Sequence, residues 1–338
     1  MDPFAPGVTT AAVWTGGSGI SLEKIDIPRL REGETLVRVR LATICGSDLH
    51  TVTGRRPAPC PSVLGHEAVG DVVAVGPGAS AERGQRIVWS VTVSCGACSR
   101  CTSGRTAKCT AVRKTGHEPF DGDWPLSGSY AEHIVLPRGT TISVVPGRMP
   151  DAVAAPAACA TATVMATLEA GGRLTGKRVL IGGAGMLGLT AVAASLDAGA
   201  VVQVIDHHPD RLALATEFGA LPSDGAPVDV AIDYTGSTDA VGAALARLDI
   251  GGVLVLAGSV LPGPALAVDP EAVVRRWLTI AGVHNYEPRH LHQAVRFLDR
   301  TLDRYPWHRL VADPVPLADL SAALRPPPTR TLRTAVAP

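Results

Sequence analysis

The sequence predicts an α/β protein with two domains, an irregular β-rich domain followed by a doubly wound parallel sheet. Short apolar runs separated by Gly and Pro fill residues 1–150, which is typical of a β-rich domain. Strand-like and helix-like segments alternate over 151–287, and a glycine-rich turn joins the first strand of that region to its helix. A chain of 338 residues is long enough to form two domains, each with its own core. Residues 288–338 form a C-terminal segment.

Three stretches of the first region have the pattern of strands. Residues 35–42 (TLVRVRLA) alternate apolar and polar side chains, which indicates a strand with one buried face. Residues 68–75 (AVGDVVAV) and 86–93 (RIVWSVTV) are further strand-like runs, and a Gly-Pro-Gly turn ends the first of these two. Strands of this length, separated by turns, predict an irregular β domain.

The second region alternates between the two kinds of segment, which predicts a parallel sheet covered by helices. The sequence predicts strands at 178–181, 201–205, 228–233 and 253–257, and helices at 151–170, 187–196, 210–218 and 238–248. The Ala-rich segment at 151–170 contains Pro156 and Glu169, so we expect a buried helix rather than a membrane span. The C-terminal segment is expected to contain a helix at 291–302 and an extended stretch at 331–336.

The composition excludes some classes of partner and location. Basic and acidic residues both number 31, so the net charge gives no reason to expect a nucleic-acid partner. Residues 1–16 lack the basic start and apolar core of a secretory signal. Seven cysteines, most of them at metal-site spacings, favour a reducing cytoplasm. Cys60 is the one cysteine without an assigned role.

The strongest local signal is a cluster of cysteines with the spacing C-x2-C-x2-C-x7-C. Its members are Cys95, Cys98, Cys101 and Cys109. Thiolates this close in sequence, with glycines between them, converge on one tetrahedral ion, and Zn²⁺ suits four sulfurs. A Cys₄ shell leaves no open position, so we expect a structural zinc site.

The glycine-rich turn matches G-x-G-x-x-G in the context that the dinucleotide-binding motif requires. The motif is Gly183-Ala184-Gly185-Met186-Leu187-Gly188. Gly183 permits the tight turn, Gly185 lets the backbone approach the pyrophosphate, and Gly188 allows the helix to pack closely on the strand. Asp206 ends the next strand and would bind the ribose hydroxyls. Because two histidines follow it rather than an arginine, we expect NAD rather than NADP.

A second metal site is assembled from residues that are distant in sequence. Cys45 lies in ICGSDLH, His66 in LGHEAVG and Cys159 in APAACATAT. Single cysteines and histidines are more often core residues than ligands. A Cys₂His set, however, leaves the fourth zinc position to water, substrate or Glu67, which is the arrangement of a catalytic zinc.

The chain resembles the zinc-containing medium-chain alcohol dehydrogenases over nearly its full length. The resemblance lies in ICGSDLH, GHEAVGDVVAVG, the four-cysteine loop, GSYAEH, APAACATAT and GGAGMLG. It implies a GroES-like catalytic domain at 1–150, a Rossmann domain at 151–287, and a segment at 288–338 that returns to the catalytic domain. It also implies a homodimer or homotetramer, often paired through a sheet edge that would be 278–283 (LTIAGV).

The resemblance also assigns roles to individual residues. It implies that Cys45, His66 and Cys159 are the catalytic zinc ligands, and that Glu67 is an alternate ligand or lies behind them. By the same resemblance, Asp48 orients His66, and Ser47 supplies the hydroxyl that binds the substrate oxygen. His50 would be the outer end of a proton relay, and Thr163 would lie near the nicotinamide carboxamide.

The reaction implied is hydride transfer between NAD and a small alcohol, aldehyde or ketone, with two zinc ions per chain. Arg55 and Arg56 follow the relay region and would clamp an anionic substrate, although solvated surface arginines are the alternative. Together with 113–133, they resemble a subgroup associated with phosphonate metabolism, so a hydroxyalkylphosphonate is one candidate substrate. A polyol or amino-alcohol dehydrogenase of the sorbitol or threonine type, and a non-catalytic cofactor-binding relative, remain alternatives. His117 and Glu118 form a second His-Glu pair, which is expected to lie in a loop.

Overall fold

The computed structural model describes residues 7–327 and 331–338. Two compact units make up the chain. The first comprises the described residues of Met1–Cys159, Glu287–Leu302 and Trp307–Pro338, and the second comprises Ala160–Tyr286 and Asp303–Pro306.

The N-terminal part of the first unit is built mainly from strands. In chain order they are β1 (Val8–Gly16), β2 (Gly19–Asp26), β3 (Thr35–Thr43), β4 (Ser62–Val63), β5 (Ala68–Val75), β6 (Arg86–Val93), β7 (Arg113–Lys114), β8 (His133–Leu136) and β9 (Thr140–Val144). The helices are α1 (Gly46–Val52), α2 (Ser99–Thr102) and α3 (Asp151–Ala154), with 3₁₀ turns at Thr106–Lys108 and Ala155–Ala158.

These strands form two antiparallel sheets around an apolar core. The smaller sheet has the order β2-β1-β4, and the larger one contains β3, β5, β6 and β7, with β8 on β3 and β9 on β6. Alternate residues of β3 face the core, because its register against β5 places Val37 and Val39 inside and Arg38 and Arg40 outside. Trp89, Tyr130 and Leu64 are among the buried side chains that form the core cluster of this part of the chain.

The second unit is a six-stranded parallel sheet with helices between its strands. The strands are β10 (Arg178–Gly182), β11 (Val201–Ile205), β12 (Leu221–Pro222), β13 (Val228–Asp233), β14 (Leu248–Leu256) and β15 (Thr279–Gly282). The helices are α4 (Ala160–Gly171), α5 (Met186–Asp197), α6 (Pro209–Glu217), α7 (Thr238–Ala246) and α8 (Pro270–Arg275).

The strand order of this sheet is β12-β11-β10-β13-β14-β15. Counted within the unit, this is the order 3-2-1-4-5-6 of the dinucleotide-binding fold. The parallel register aligns Gly182 with Ile205 and with Asp233, so the glycine-rich turn and Asp206 leave the sheet at the same edge. The predicted doubly wound parallel sheet is therefore confirmed.

The C-terminal segment returns to the sheet of the first unit. It contains α9 (Pro288–Thr301), β16 (Val315–Pro316), α10 (Leu320–Ala323) and β17 (Ala335–Ala337), with 3₁₀ turns at Trp307–Arg309 and Leu317–Asp319. β17 pairs antiparallel with the end of β3, and Ala335 lies opposite Thr43. This pairing brings the residues just before β17 next to the residues that follow β3.

The single helix expected at 151–170 is divided into α3, a 3₁₀ turn and α4. Pro156 lies in the 3₁₀ turn, where it has no N–H to donate to an α-helical hydrogen bond. Cys159 ends this turn with φ −129° and ψ −68°, which is not helical. Within the described residues, no single helix has the length and apolar character to cross a membrane; only the bent pair Asp151–Ala158 and Ala160–Gly171 meets both criteria jointly.

Candidate active site

The cysteine that follows β3 is positioned by the first turn of α1. Cys45 is the residue before the helix, with extended backbone dihedrals, and it is buried. Its backbone N–H donates to Asp48 Oδ2 over 2.9 Å, which closes a capping box. Asp48 is therefore fixed by the same helix start that presents Cys45.

The ring of His66 lies between two polar groups from α1. Asp48 Oδ1 is 3.3 Å from His66 Nδ1, and Ser47 Oγ is 3.1 Å from His66 Nε2. The hydroxyl of Tyr130 donates to Asp48 Oδ2 over 2.9 Å. Burial lowers the pKa of His66, but the Asp48 carboxylate outweighs it and raises this pKa well above its usual value. With a proton on Nδ1 facing Asp48, Nε2 would be free to bind a metal ion.

The three predicted ligands of the catalytic zinc converge in the first unit. Cys45 Sγ, Cys159 Sγ and a ring nitrogen of His66 all lie within 4.8 Å of one another. A hydrogen bond from Cys159 lowers the pKa of Cys45 well below its usual value and raises the pKa of Cys159 in turn. Of the two thiols, Cys45 is therefore the one that ionises more readily.

Behind the ligands, Glu67 forms a buried ion pair with Arg333. Glu67 Oε2 accepts hydrogen bonds from Arg333 Nε and from Thr43 Oγ1, each over 2.8 Å, and Oε1 accepts one from Arg333 Nη2 over 3.2 Å. Burial raises the pKa of Glu67 while Arg333 opposes the rise. Arg333 Nη2 also lies 3.6 Å from Cys45 Sγ. Glu67 is thus held by Arg333 and Thr43, outside the cluster of Cys45, His66 and Cys159.

The charges at this site fit a divalent metal ion. With a metal ion bound, both sulfurs would be thiolates and His66 would be neutral, so the anions are these thiolates and the carboxylates of Asp48 and Glu67, and Arg333 contacts Glu67 and Cys45. Buried anions in such excess over cations are unfavourable unless a further positive charge is bound. Two thiolates and an imidazole with one open position are the donor set of catalytic zinc.

The four-cysteine cluster also has the geometry of a metal site. Its Sγ atoms all lie within 4.8 Å of one another, with contacts of 3.4 to 3.9 Å. Sulfurs around a tetrahedral zinc with bonds of ~2.3 Å are about 3.8 Å apart, whereas a disulfide bond is ~2.05 Å long. Backbone N–H groups of Thr110 and Cys101 lower the pKa of Cys98 to about 5. The cluster therefore fits structural zinc.

Glu287 holds the end of the cysteine loop. Its carboxylate accepts hydrogen bonds from the backbone N–H of Thr106 over 2.9 Å, from Thr106 Oγ1 over 2.5 Å and from the N–H of Ala107 over 3.2 Å. Because Glu287 is also the residue before α9, the loop is tied to the start of that helix.

In the second unit, the glycine-rich turn connects β10 to α5. Gly183 has φ +89° and donates its N–H to Ile205 O over 2.8 Å. A Cβ atom on Gly188 would lie 1.8 Å from Gly183 O, whereas one on Gly185 would meet no atom within 4 Å. Asp206 accepts hydrogen bonds from the N–H of Ala184 over 2.7 Å and of His208 over 2.8 Å. Met186 and Leu187 begin α5.

The other predicted site residues differ in their exposure and in their contacts. His50 is half-buried in the last turn of α1, and burial followed by the charge of Arg55 lowers its pKa. Arg55 is exposed, whereas Arg56 is half-buried with Nη1 3.5 Å from His117 Nε2. Thr163 is half-buried in α4 of the second unit.

His117 lies in a loop, as expected, but its position beside the metal ligands was not predicted. Its ring centroid is 5.1 Å from that of His66. Burial, followed by the charges of His66 and Arg56, lowers the pKa of His117 well below its usual value.

This fold and this site define a zinc-containing dehydrogenase with a nucleotide-binding sheet, and the comparisons identify its family. Residues 31–147 match the alcohol dehydrogenase GroES-like domain. An L-threonine 3-dehydrogenase of Edwardsiella ictaluri (strain 93-146) is 30% identical, with 80% of this chain and 82% of that protein covered.

Two solved structures have the same fold. An alcohol dehydrogenase from Thermotoga maritima superposes with a TM-score of 0.91 at 27% identity, covering 98% of this chain and 100% of the other. A zinc-binding dehydrogenase from Sinorhizobium meliloti 1021 bound to NADP has a TM-score of 0.88 at 25% identity, with the same coverage. The chain belongs to the zinc-type medium-chain alcohol dehydrogenase family and is an NAD(P)-dependent oxidoreductase.

Proposed function

We propose that this dehydrogenase acts on a small alcohol that carries an anionic group, and that NAD is its preferred cofactor. The observation that carries the proposal is the convergence of Cys45, His66 and Cys159 within 4.8 Å, backed by Asp48 and Glu67. Cys45, His66 and Cys159 would hold a zinc ion, which would supply a Lewis acid that lowers the pKa of an alcohol oxygen, and a bound nicotinamide cofactor would supply the hydride acceptor or donor.

The side chains of α1 move the proton in this proposal. Ser47 Oγ lies 3.1 Å from the ligand atom of His66, so its hydroxyl is placed to accept the proton of the substrate alcohol. His50 is the outer acceptor. Its lowered pKa keeps the imidazole neutral near pH 7, and a neutral imidazole is the form that accepts a proton.

Two further side chains hold neighbouring groups of the site in position. Asp48 fixes the orientation of the His66 ring, and Arg333 keeps Glu67 behind the ligands.

The preference for NAD rests on Asp206. A carboxylate at the end of the second strand accepts hydrogen bonds from ribose hydroxyls and repels a 2′-phosphate. We assign the glycines of the turn at 183–188 to the pyrophosphate and Thr163 to the nicotinamide carboxamide. Initial rates with NAD and NADP, measured in parallel, test the assignment of Asp206 to the ribose hydroxyls. Asp206→Ser is expected to raise KM for NAD about tenfold and to narrow the gap between the two cofactors; a wild-type preference for NADP contradicts it.

For the substrate, two candidates share the required anionic group. A hydroxyalkylphosphonate is favoured by Arg56, a half-buried cation near the ligands. L-Threonine is favoured by the similarity to L-threonine 3-dehydrogenases, and its carboxylate would use the same cation. The test is a screen of 2-hydroxyethylphosphonate, L-threonine, sorbitol and 1-propanol that follows nicotinamide absorbance. Turnover of 1-propanol at an equal kcat/KM argues against an anionic substrate.

A metal count separates an enzyme from a non-catalytic relative. Two zinc ions per chain with nicotinamide-linked turnover support the proposal, whereas one zinc ion and no turnover support the non-catalytic alternative. We further propose that the protein works in the cytoplasm as a homodimer or homotetramer. Strand β15 is the last strand of its sheet, and Trp277 and Ile250 nearby are 78% and 72% exposed, which suits a subunit contact.

A further inference from the structure

A loop beside the catalytic ligands is held there by two glycines. Gly65 precedes His66 with φ +91°, and Gly116 precedes His117 with φ +72°. A Cβ atom on Gly116 would lie 2.4 Å from Gly65 O, so the two backbones approach as only glycine allows. The loop turns because the N–H of His117 donates to Lys114 O over 3.1 Å. Lys114 and His117 are thereby brought to the same turn.

The ring of His117 has one edge toward an arginine and one without a partner. Nε2 is 3.5 Å from Arg56 Nη1, and Nδ1 is a buried atom that has no hydrogen-bond partner among the described residues. Arg56 lies shortly after the end of α1, and its backbone N–H donates to His50 O over 3.0 Å. An unpaired ring nitrogen at this depth is unfavourable, so a further polar group is expected to bind here.

The cations around His117 are unpaired, although acidic residues are close in sequence. Burial, followed by the charges of Arg56 and Lys108, lowers the pKa of Lys114. Within 7–327 and 331–338, neither has a carboxylate at ion-pair distance. Glu118 instead accepts from the Lys114 N–H over 2.8 Å and pairs with Arg113, which also binds Asp123.

We propose that Arg56, Lys114 and His117 form a binding subsite for the anionic group of the substrate, beside the catalytic metal site. This inference rests on the proposed function, because it takes Cys45, His66 and Cys159 as the ligands to which the alcohol is bound. The two half-buried cations match a carboxylate or a phosphonate, which accepts several hydrogen bonds at once, and the His117 ring contacts Arg56 and lies near the His66 ring. The proximity of the His117 ring to the His66 ring requires a short spacer between hydroxyl and anion.

The test compares substrates that differ only in the anionic group. Wild type, Arg56→Gln, Lys114→Gln and His117→Phe are assayed with 2-hydroxyethylphosphonate, 3-hydroxypropionate and neutral 1-propanol. Wild type is expected to prefer an anionic alcohol. The anionic alcohol with the higher kcat/KM shows whether the subsite binds a phosphonate or a carboxylate. Each of the three substitutions should raise KM for that alcohol, by about 10- to 100-fold for the two that remove a charge, with a smaller change in kcat. Arg113→Gln removes an equal charge from the same loop and should leave the preference intact.

A binding measurement separates this inference from the proposed function. Methylphosphonate and propionate are titrated into the zinc-loaded protein and followed by the shift in melting temperature. Saturable stabilisation that is lost in Arg56→Gln but kept in Arg113→Gln supports the subsite. If the same protein turns over no alcohol, that result overturns only the proposed function. Turnover of neutral and anionic alcohols with equal kcat/KM, or equal stabilisation of wild type and Arg56→Gln, overturns the subsite.

Discussion

The two cysteine-based sites of the first unit differ in what surrounds their sulfurs. In the four-cysteine loop, Cys95 and Cys109 are 14 positions apart, and backbone N–H groups are the main donors to the sulfurs. At the Cys45 site, charged side chains surround the sulfur, and Arg333 is 266 positions from the Glu67 that it pairs with. We therefore propose that the local site is a closed site that holds structure, and that the assembled site is an open one whose charge is set by its neighbours.

Removing a ligand from the assembled site is expected to have the largest effect on activity. Cys45→Ser should lower kcat/KM by about 10³-fold or more, because Lewis-acid stabilisation amounts to several kcal/mol. The variant should retain one zinc ion per chain and should lose less stability than a variant of the four-cysteine loop. Zinc content and steady-state rates check this. Loss of both zinc ions in Cys45→Ser would show that the two sites are not independent.

Removing a ligand from the local site should affect folding instead. Cys98→Ser is expected to release the loop zinc and to lower the free energy of unfolding by more than about 4 kcal/mol, as loss of a structural metal does. The zinc bound at the Cys45 site should remain, and so should the kcat of the fraction that stays folded. Denaturant titration and zinc content measure these quantities. A kcat that falls as far as in Cys45→Ser would contradict the division of roles.

The locally encoded features are the ones that the sequence predicted best. The strands at 68–75, 86–93, 201–205 and 228–233 have the bounds observed for β5, β6, β11 and β13. The four cysteines converge as their spacing indicates. A short spacing restricts the distance between side chains whatever the rest of the fold does, so such predictions need no tertiary information.

Some features that depend on distant contacts were missed, although the resemblance to known dehydrogenases correctly grouped Cys45, His66 and Cys159. Arg333 occurs in no recognisable motif, and it reaches Glu67 only because β17 pairs with the end of β3. His117 was predicted to lie in a loop, but its position beside His66 depends on the close approach of Gly65 and Gly116. A buried helix was predicted across Cys159, although Pro156 gave a local signal for the break.

Breaking the ion pair between Glu67 and Arg333 is expected to have an effect of intermediate size, on stability. Arg333→Gln leaves the carboxylate of Glu67 buried without its cation, which is expected to cost about 3 kcal/mol of stability. The double variant Arg333→Gln with Glu67→Gln removes both charges and should recover part of that loss. Urea titration of the four members of this cycle gives the coupling energy. A coupling near zero would mean that Arg333 does not compensate Glu67.

The smallest expected effect comes from the outermost hydrogen bond of the assembled site. Tyr130→Phe removes the hydroxyl that donates to Asp48 Oδ2, while the N–H of Cys45 continues to donate to the same oxygen. One such bond contributes about 1 kcal/mol, so the rate should fall less than tenfold.

Burial and the Asp48 carboxylate raise the pKa of Tyr130 well above its usual value. The hydroxyl therefore stays protonated and donates at every working pH, and the pH profile of kcat/KM should keep its shape in the variant. Asp48→Asn, which faces His66 directly, should lower activity by about 10- to 100-fold. If Tyr130→Phe shifts the profile or matches Asp48→Asn in its effect, then the tyrosine acts on the proton path itself and not only through the orientation of Asp48.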